Sequence, residues 1–315
     1  MMILRSKGIL LIALLAVSAA AQRGKTIAIT IDDLPVVTSQ SNDDVDRKIT
    51  TDLLATLKRW RVSATGFVNE SQLFPDGERD LQKIDLLKKW LTAGMSLGNH
   101  TYSHASLNGV GLEAYEADIL TGEAVTKKLL ADSGRRIRYF RHPYLEAGET
   151  PEIKQSLDRF LAKHGYRVAP VTVEASDYIF ADAYEKAVLA KDAQLTKRVV
   201  KEYSQFFRKK LDFWEKQTRT VFGRNIAQVL LIHASLLNAD HLNDIFTILR
   251  RRGYRFVSLD RALRDSAYRS PDRYFQKDGV SWLTRWAETK GEGFVLDEPD
   301  VPKWITTLAG EDDTQ

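Results

Sequence analysis

Residues 26–33 read Thr-Ile-Ala-Ile-Thr-Ile-Asp-Asp. Six β-branched or apolar residues in a row describe a buried strand, and two adjacent carboxylates follow it directly. Working outward, Val45, Ile49, Leu53, Leu57 and Trp60 recur at spacings of three and four, one apolar stripe of a helix. Val62–Val68 is the next strand, and a helix over 81–93 follows, closed by Gly94. The same alternation continues with a strand over 95–99, a helix over 112–130 and a strand over 137–140. Thr150-Pro151 opens a helix that stops at Gly165, and 166–173 is a strand. A long basic helical stretch then covers roughly 183–222, with Val199, Tyr203, Phe206, Leu211, Trp214 and Val221 on its apolar side. Strands over 228–232 and 254–259 flank a helix over 240–252. Strands that alternate with helices in this way run parallel, joined by right-handed crossovers. The expected fold class is α/β, a distorted (β/α) barrel of about seven parallel strands with a C-terminal extension; a doubly wound open sheet is the alternative.

The chain ends read differently. Arg5 and Lys7, the apolar run Ile9–Val17 and the small residues Ala19-Ala20-Ala21 have the order of a secretory signal peptide. The run is shorter than the roughly 20 residues of a membrane span. Residues 1–21 are therefore expected to be removed, giving a secreted or periplasmic protein with no stable membrane insertion; an uncleaved anchor is the alternative. Residues 22–264 are expected to form the catalytic domain. Residues 265–315, with Pro271, Trp282, Trp286, Pro299, Pro302 and Trp304, are expected to wrap it, the tryptophans acting as packing residues. The 315 residues include no cysteine, so no disulfide forms and any metal must be held by His, Asp or Glu. The formal charge is +4, of which two positives lie in the leader, and this weak bias gives no ground for a nucleic-acid partner.

The unusual polar residues follow strand ends: Asp32-Asp33, His100 and His104, Arg141, Asp177 and His233. In a parallel barrel the C-terminal strand ends share one rim, where active sites sit. Two carboxylates side by side after an apolar strand call for a compensating cation; one could ligate it while the other acts as a base. His100 and His104, four apart, share one face of a helical turn, an arrangement suited to zinc. Arg141 could hold a carboxylate in its fork, and His233 could protonate a leaving amine. His142 reads as an exposed loop histidine, and His164 and His241 as structural residues on helices.

Taken in order, Thr-Ile-Asp-Asp, His-Thr-Tyr-Ser-His, Arg-His-Pro-Tyr, Asp-Tyr and Leu-Leu-Ile-His resemble the polysaccharide deacetylase family, the NodB-homology domain of carbohydrate esterase family 4, over residues 25–262. The resemblance implies that Asp32 is the catalytic base and that Asp33, His100 and His104 hold the metal. It implies that Arg141 orients the base, that the backbone N–H of Tyr144 is the oxyanion donor, and that Asp177 supports the general acid His233. Pro143, Tyr178 and Leu237 are placed around the substrate. The implied metal is zinc, with Co²⁺, Ni²⁺, Fe²⁺ or Mn²⁺ able to occupy the same ligands. The implied reaction is removal of acetate from an N-acetylated glycan, peptidoglycan or chitin-like. Hydrolysis of a small non-sugar amide, or carbohydrate binding without catalysis, are the alternatives. The chain departs from the family pattern at Leu34, His142, Leu145 and Tyr178, positions expected around the substrate.

Overall fold

The computed structural model describes residues 24–291 and 297–311; the leader read at residues 1–21 lies outside them. The 26–33 stretch forms the centre of β1 (Thr26–Val37), whose apolar residues Ile27, Ile29 and Ile31 are fully buried. Asn42 caps α1 (Asp43–Trp60) by accepting from the N–H groups of Asp44 and Val45, and Ile49, Leu53 and Leu57 pack inward. There follow β2 (Thr65–Val68), α2 (Leu81–Thr92), β3 (Ser96–Asn99), α3 (Leu107–Val110), α4 (Leu112–Thr121), α5 (Ala124–Asp132) and β4 (Tyr139–Phe140). The second half contains α6 (Pro151–Lys163), β5 (Arg167–Val168), α7 (Asp177–Leu189), α8 (Ala193–Phe222), β6 (Ala227–Ser235), α9 (Leu236–Arg251) and β7 (Arg255–Phe256). Three short helices close the described chain: α10 (Leu259–Ala262), α11 (Trp282–Lys290) and α12 (Lys303–Ala309).

All strand pairings are parallel, in the order β5-β4-β3-β2-β1-β6, with β7 also on β1. β7 meets β1 at Thr26 and Ile27, and β2 takes over from Thr30. Just past β5 the chain reaches the far side of β6: Val173 bridges Leu230, and the Thr172 N–H donates to the Val229 carbonyl at 3.0 Å. The sheet thus curls back on itself with helices around it, a distorted (β/α) barrel as the alternation implies.

Four local readings are corrected. β1 continues to Val37 instead of ending at Asp33, because a register break between Ile31 and Leu34 with Asp33 at φ 62 lets the strand kink and go on. The helix expected over 112–130 is two helices, split at Gly122. The stretch expected over 183–222 is also two: α7 begins earlier, at Asp177, and α8 starts anew where Asp192 accepts from the N–H groups of Gln194 and Leu195. The strand expected over 166–173 keeps ladder geometry only at 167–168 before its bridge to β6.

The tail packs on this frame, α11 against α8 and α12 against α7. Trp282 and Trp286 are buried, and Trp304 lies beneath the Arg198 guanidinium, 4.0 Å from ring centre to carbon. No helix among the described residues is long and apolar enough to cross a membrane.

Candidate active site

Successive side chains of a flat strand point to opposite faces. The left-handed backbone at Asp33 cancels that alternation, so Asp32 and Asp33 both line one cavity of about 890 Å³. His100 and His104 reach the same cavity from the segment after β3. That segment is an irregular loop, not the helical turn expected from the spacing. Left-handed Thr101 (φ 65) and His104 (φ 57) fold it so that the two imidazole centroids stand 4.9 Å apart.

The fold of this loop depends on the break between α4 and α5. A Cβ at Gly122 would lie 2.3 Å from the Thr101 carbonyl carbon and 2.4 Å from the Tyr102 nitrogen, so only glycine lets the loop pass. The Tyr102 and Ser103 N–H groups then donate to the Asp118 carbonyl and carboxylate, at 3.1 and 3.0 Å.

Asp33 Oδ1 lies 3.4 Å from His100 Nε2 and 3.5 Å from His104 Nε2, and the three ligand atoms fall within 4.8 Å of one another. This oxygen is buried and accepts no hydrogen bond. The His100 Nδ1–H donates to the Arg141 carbonyl at 2.8 Å, which turns the Nε2 lone pair toward Asp33. Burial and the neighbouring His104 hold the His100 pKa well below 6.5, and burial also lowers that of His104. Two neutral imidazoles and an orphaned carboxylate oxygen leave lone pairs facing lone pairs. That donor set fits a divalent cation with positions left open.

Behind Asp32, the fully buried Arg141 donates from Nη1 to both carboxylate oxygens, at 3.1 and 3.4 Å. Its Nη2 donates to Thr30 Oγ1 at 2.9 Å, its Nε donates to the Ala169 carbonyl at 2.8 Å, and its plane lies 4.7 Å over Phe67. Burial lifts the Asp32 pKa to about 6 against the downward pull of Arg141 and His233. Across the cavity His233 Nδ1 lies 2.9 Å from Asp177 Oδ1, and the His233 backbone N–H donates to Oδ2 at 2.8 Å. Burial opposes the charged form of His233, but the Asp177 carboxylate overrides it and raises the pKa to about 10. Asn238 was not singled out by sequence. Its amide donates to Asp177 Oδ2 at 2.6 Å and to the His233 carbonyl at 2.9 Å, and no spacing signal marks it.

Tyr144 sits at the rim with φ 53, 58% exposed, its ring 4.6 Å from that of His104. Tyr178 is 47% exposed and meets His233 edge-on at 5.9 Å. Two expected substrate residues do not line the cavity. Leu237 is fully buried on the first turn of α9, facing the core, and the aliphatic lining comes from Val37, Leu145, Ile179, Leu231, Val280 and Val301 instead. Pro143 is buried beneath the Tyr144 turn. His142 is not an exposed loop residue. It is 2% exposed, set edge-on to Phe140 and stacked with Trp282, and its Nδ1 is buried without a partner.

The tail supplies one wall. The Trp282 N–H donates to the Val171 carbonyl at 2.7 Å, and a Cβ at Gly279 would lie 1.7 Å from the Tyr144 carbonyl oxygen.

Residues 19–169 match the sequence profile described as Polysaccharide deacetylase, which contains the Asp32-Asp33, His100–His104 and Arg141 segments just placed around one cavity. Over these residues, just under half of its length, the chain is similar to the polysaccharide deacetylase family. A peptidoglycan-N-acetylglucosamine deacetylase of Bacillus cereus is 26% identical to this protein over 167 residues, 52% of this chain and 50% of that one. The match thus spans about half the length of that relative. Among solved structures, a polysaccharide deacetylase from Bacillus cereus superposes with a TM-score of 0.51 at 19% identity, over 74% of this chain and 91% of that one. A mutant of a carbohydrate esterase family 4 pseudoenzyme gives 0.51 at 16% identity, over 77% and 68%. At these identities the likeness establishes the shared barrel.

Proposed function

We propose that this chain is a metal-dependent N-deacetylase that hydrolyses the acetamide of N-acetylated sugars in a glycan, peptidoglycan or chitin-like, and releases acetate. One observation carries the proposal. The Asp33–His100–His104 donor set opens onto the same cavity as the Asp32–Arg141 and His233–Asp177 pairs. A divalent cation held by that donor set supplies Lewis acidity toward a carbonyl oxygen and toward water. Zinc is the ion best matched to two imidazoles and one carboxylate, with Co²⁺, Ni²⁺, Fe²⁺ and Mn²⁺ as competitors.

The chain's own groups then divide the work. Asp32, kept anionic by Arg141, takes a proton from the attacking water. The Tyr144 N–H at the rim donates to the oxyanion; removing such a donor typically slows a reaction about 10²–10³-fold. An amine leaves poorly unless protonated, and His233, with its pKa near 10, carries the proton it needs. Tyr178 and the tail wall contact the sugar. The leader read at residues 1–21 would deliver residues 22–264, with the 265–315 extension, to the periplasm or the exterior, where such glycans lie.

The test measures bound metal and acetate release on the wild type and on His104→Ala. About one ion per chain and acetate from chitooligosaccharides or peptidoglycan, both lost in the variant, is the expected result. Acetate from small amides alone would replace the glycan with a small substrate, and a wild type that binds no metal would overturn the proposal.

A further inference from the structure

One buried polar side chain of the catalytic cavity takes no part in the work divided among Asp32, Tyr144 and His233. His142 lines that cavity together with Tyr144, Leu145 and Ser281, and it is almost wholly enclosed. Its ring is clamped: Phe140 meets it edge-on at 4.9 Å, and Trp282 from the tail stacks on it at 6.4 Å between centroids. Neither ring nitrogen has a hydrogen-bond partner among the described residues, and Nδ1 is shut off from solvent as well.

The surroundings fix the form of this ring. Burial, and after it the nearby Lys154, Arg285 and Arg141, disfavour a positive charge, so the imidazole is neutral. These cations are themselves answered by carboxylates. Lys154 pairs with Asp158 at 2.9 Å and with Asp272 at 3.6 Å, Arg285 pairs with Asp272 at 2.9 Å, and Arg141 pairs with Asp32 at 3.1 Å. A neutral imidazole carries one N–H and one lone pair. Buried N–H groups without an acceptor are rare, whereas unpaired acceptors are less so. The lone pair therefore belongs on the enclosed Nδ1, and the proton on Nε2, the nitrogen left to reach the cavity.

We propose that His142 is a substrate-binding residue whose Nε2–H donates to a hydroxyl oxygen of the N-acetylated sugar; this rests on the deacetylase reading. Position supports it. Only Pro143 separates His142 from Tyr144, so their α-carbons lie within about 7.6 Å. The sugar that bears the acetamide is therefore in reach, not a remote one. Energetics supports it as well. An Nδ1 buried without a partner costs stability that an apolar ring of the same shape would not, a cost typical of functional sites. The acceptor is uncharged, because a carboxylate facing the ring would draw in a proton that burial and the neighbouring cations oppose. Phe140 and Trp282 hold the donor in place before the sugar arrives, which lowers the ordering cost of binding.

The test compares His142→Phe, which fills the space without a donor, with His142→Gln, which keeps an N–H near the place of Nε2. On fully N-acetylated chitotetraose, His142→Phe should raise KM about 3- to 10-fold with kcat little changed, as loss of one uncharged hydrogen bond does, and His142→Gln should recover most of that. One singly deoxygenated diacetylchitobiose should be a poorer substrate than its parent for the wild type but not for His142→Phe. Bound metal should be equal in all three proteins. His142→Phe should also unfold at a higher urea concentration than the wild type, since it removes the orphaned Nδ1. Nitrogen NMR, with the His142 signal identified by its loss in His142→Phe, should place the proton on Nε2. An Nδ1–H tautomer, an unchanged KM in His142→Phe, or a His142→Gln no better than His142→Phe would each overturn the inference. So would a raised KM accompanied by a lower urea midpoint, the sign of a packing defect. A wild type inert toward every N-acetylated sugar would instead remove the deacetylase reading, and this inference with it.

Discussion

Asp177 holds His233 at two points: one carboxylate oxygen faces the ring Nδ1 at 2.9 Å, and the other accepts the backbone N–H of the same residue at 2.8 Å. The double contact fixes the ring's orientation and leaves Nε2 toward the cavity, 4.0 Å from Asp33 Oδ2. Asp177→Asn keeps the size but removes the charge that makes the imidazolium stable. It should lower kcat about 10²–10⁴-fold with KM little changed. Steady-state kinetics check this, and a kcat near that of the wild type would remove Asp177 from the catalytic set.

Gly122 is far from the chemistry in sequence, yet its missing side chain admits the backbone of Thr101 and Tyr102. Gly122→Ala should push the His100–His104 loop out of register and weaken metal binding by about 10- to 100-fold, as loss of a ligand's support does. Competition with a chelator measures the affinity. A variant less stable to urea but unchanged in metal affinity would show that the glycine serves packing alone.

Arg141 compensates the buried Asp32 charge through a fork that also holds Thr30 and Ala169. Removing one partner of a buried pair costs about 3–5 kcal/mol, so Arg141→Met should lose stability in that range and also lose activity. Arg141→Lys retains a charge but not the three-way geometry, and should recover stability in part and little of the rate. Urea midpoints and kcat for the two variants test both halves of the argument.

His142 is buried neutral. Burial, with Lys154 and Arg285 nearby, holds its pKa well below 6.5. In the unfolded chain the same ring takes up a proton as the pH falls through 6.5, and the folded protein does not. Protonation therefore favours unfolding below that value, and the stability present at neutral pH declines as the pH falls toward the folded-state pKa. The slope from this one group is at most about 1.4 kcal/mol per pH unit. His142→Gln should flatten the fall in the urea midpoint between about pH 6.5 and 4.5. An unchanged slope would assign the acid sensitivity to other groups.

Much of the architecture was legible locally. Apolar runs such as Thr26–Ile31, helix stripes such as Ile49-Leu53-Leu57 and caps such as Thr150-Pro151 each report burial or backbone geometry within a few residues. That is enough to imply parallel strands, and the polar residues beyond the strand ends then fall on one rim. The readings that failed concern groups whose conformation is set from elsewhere in the chain. The spacing of His100 and His104 is helical, but Gly122 and Asp118 hold their loop in a different form. Leu237 faces the core because α9 starts one residue after β6, and His142 is covered because Trp282 from the tail stacks on it.

The amino-acid sequence by itself thus determined the alternation of strands and helices and the rim on which the polar residues gather, because periodicity and strand ends are short-range properties. The tertiary structure alone decided that Asn238 braces Asp177 and that Gly279 lets the tail close on Tyr144. Those relationships join groups tens to hundreds of residues apart. Nothing in a residue's near neighbours records which distant group will lie a few ångströms from it once the barrel has closed.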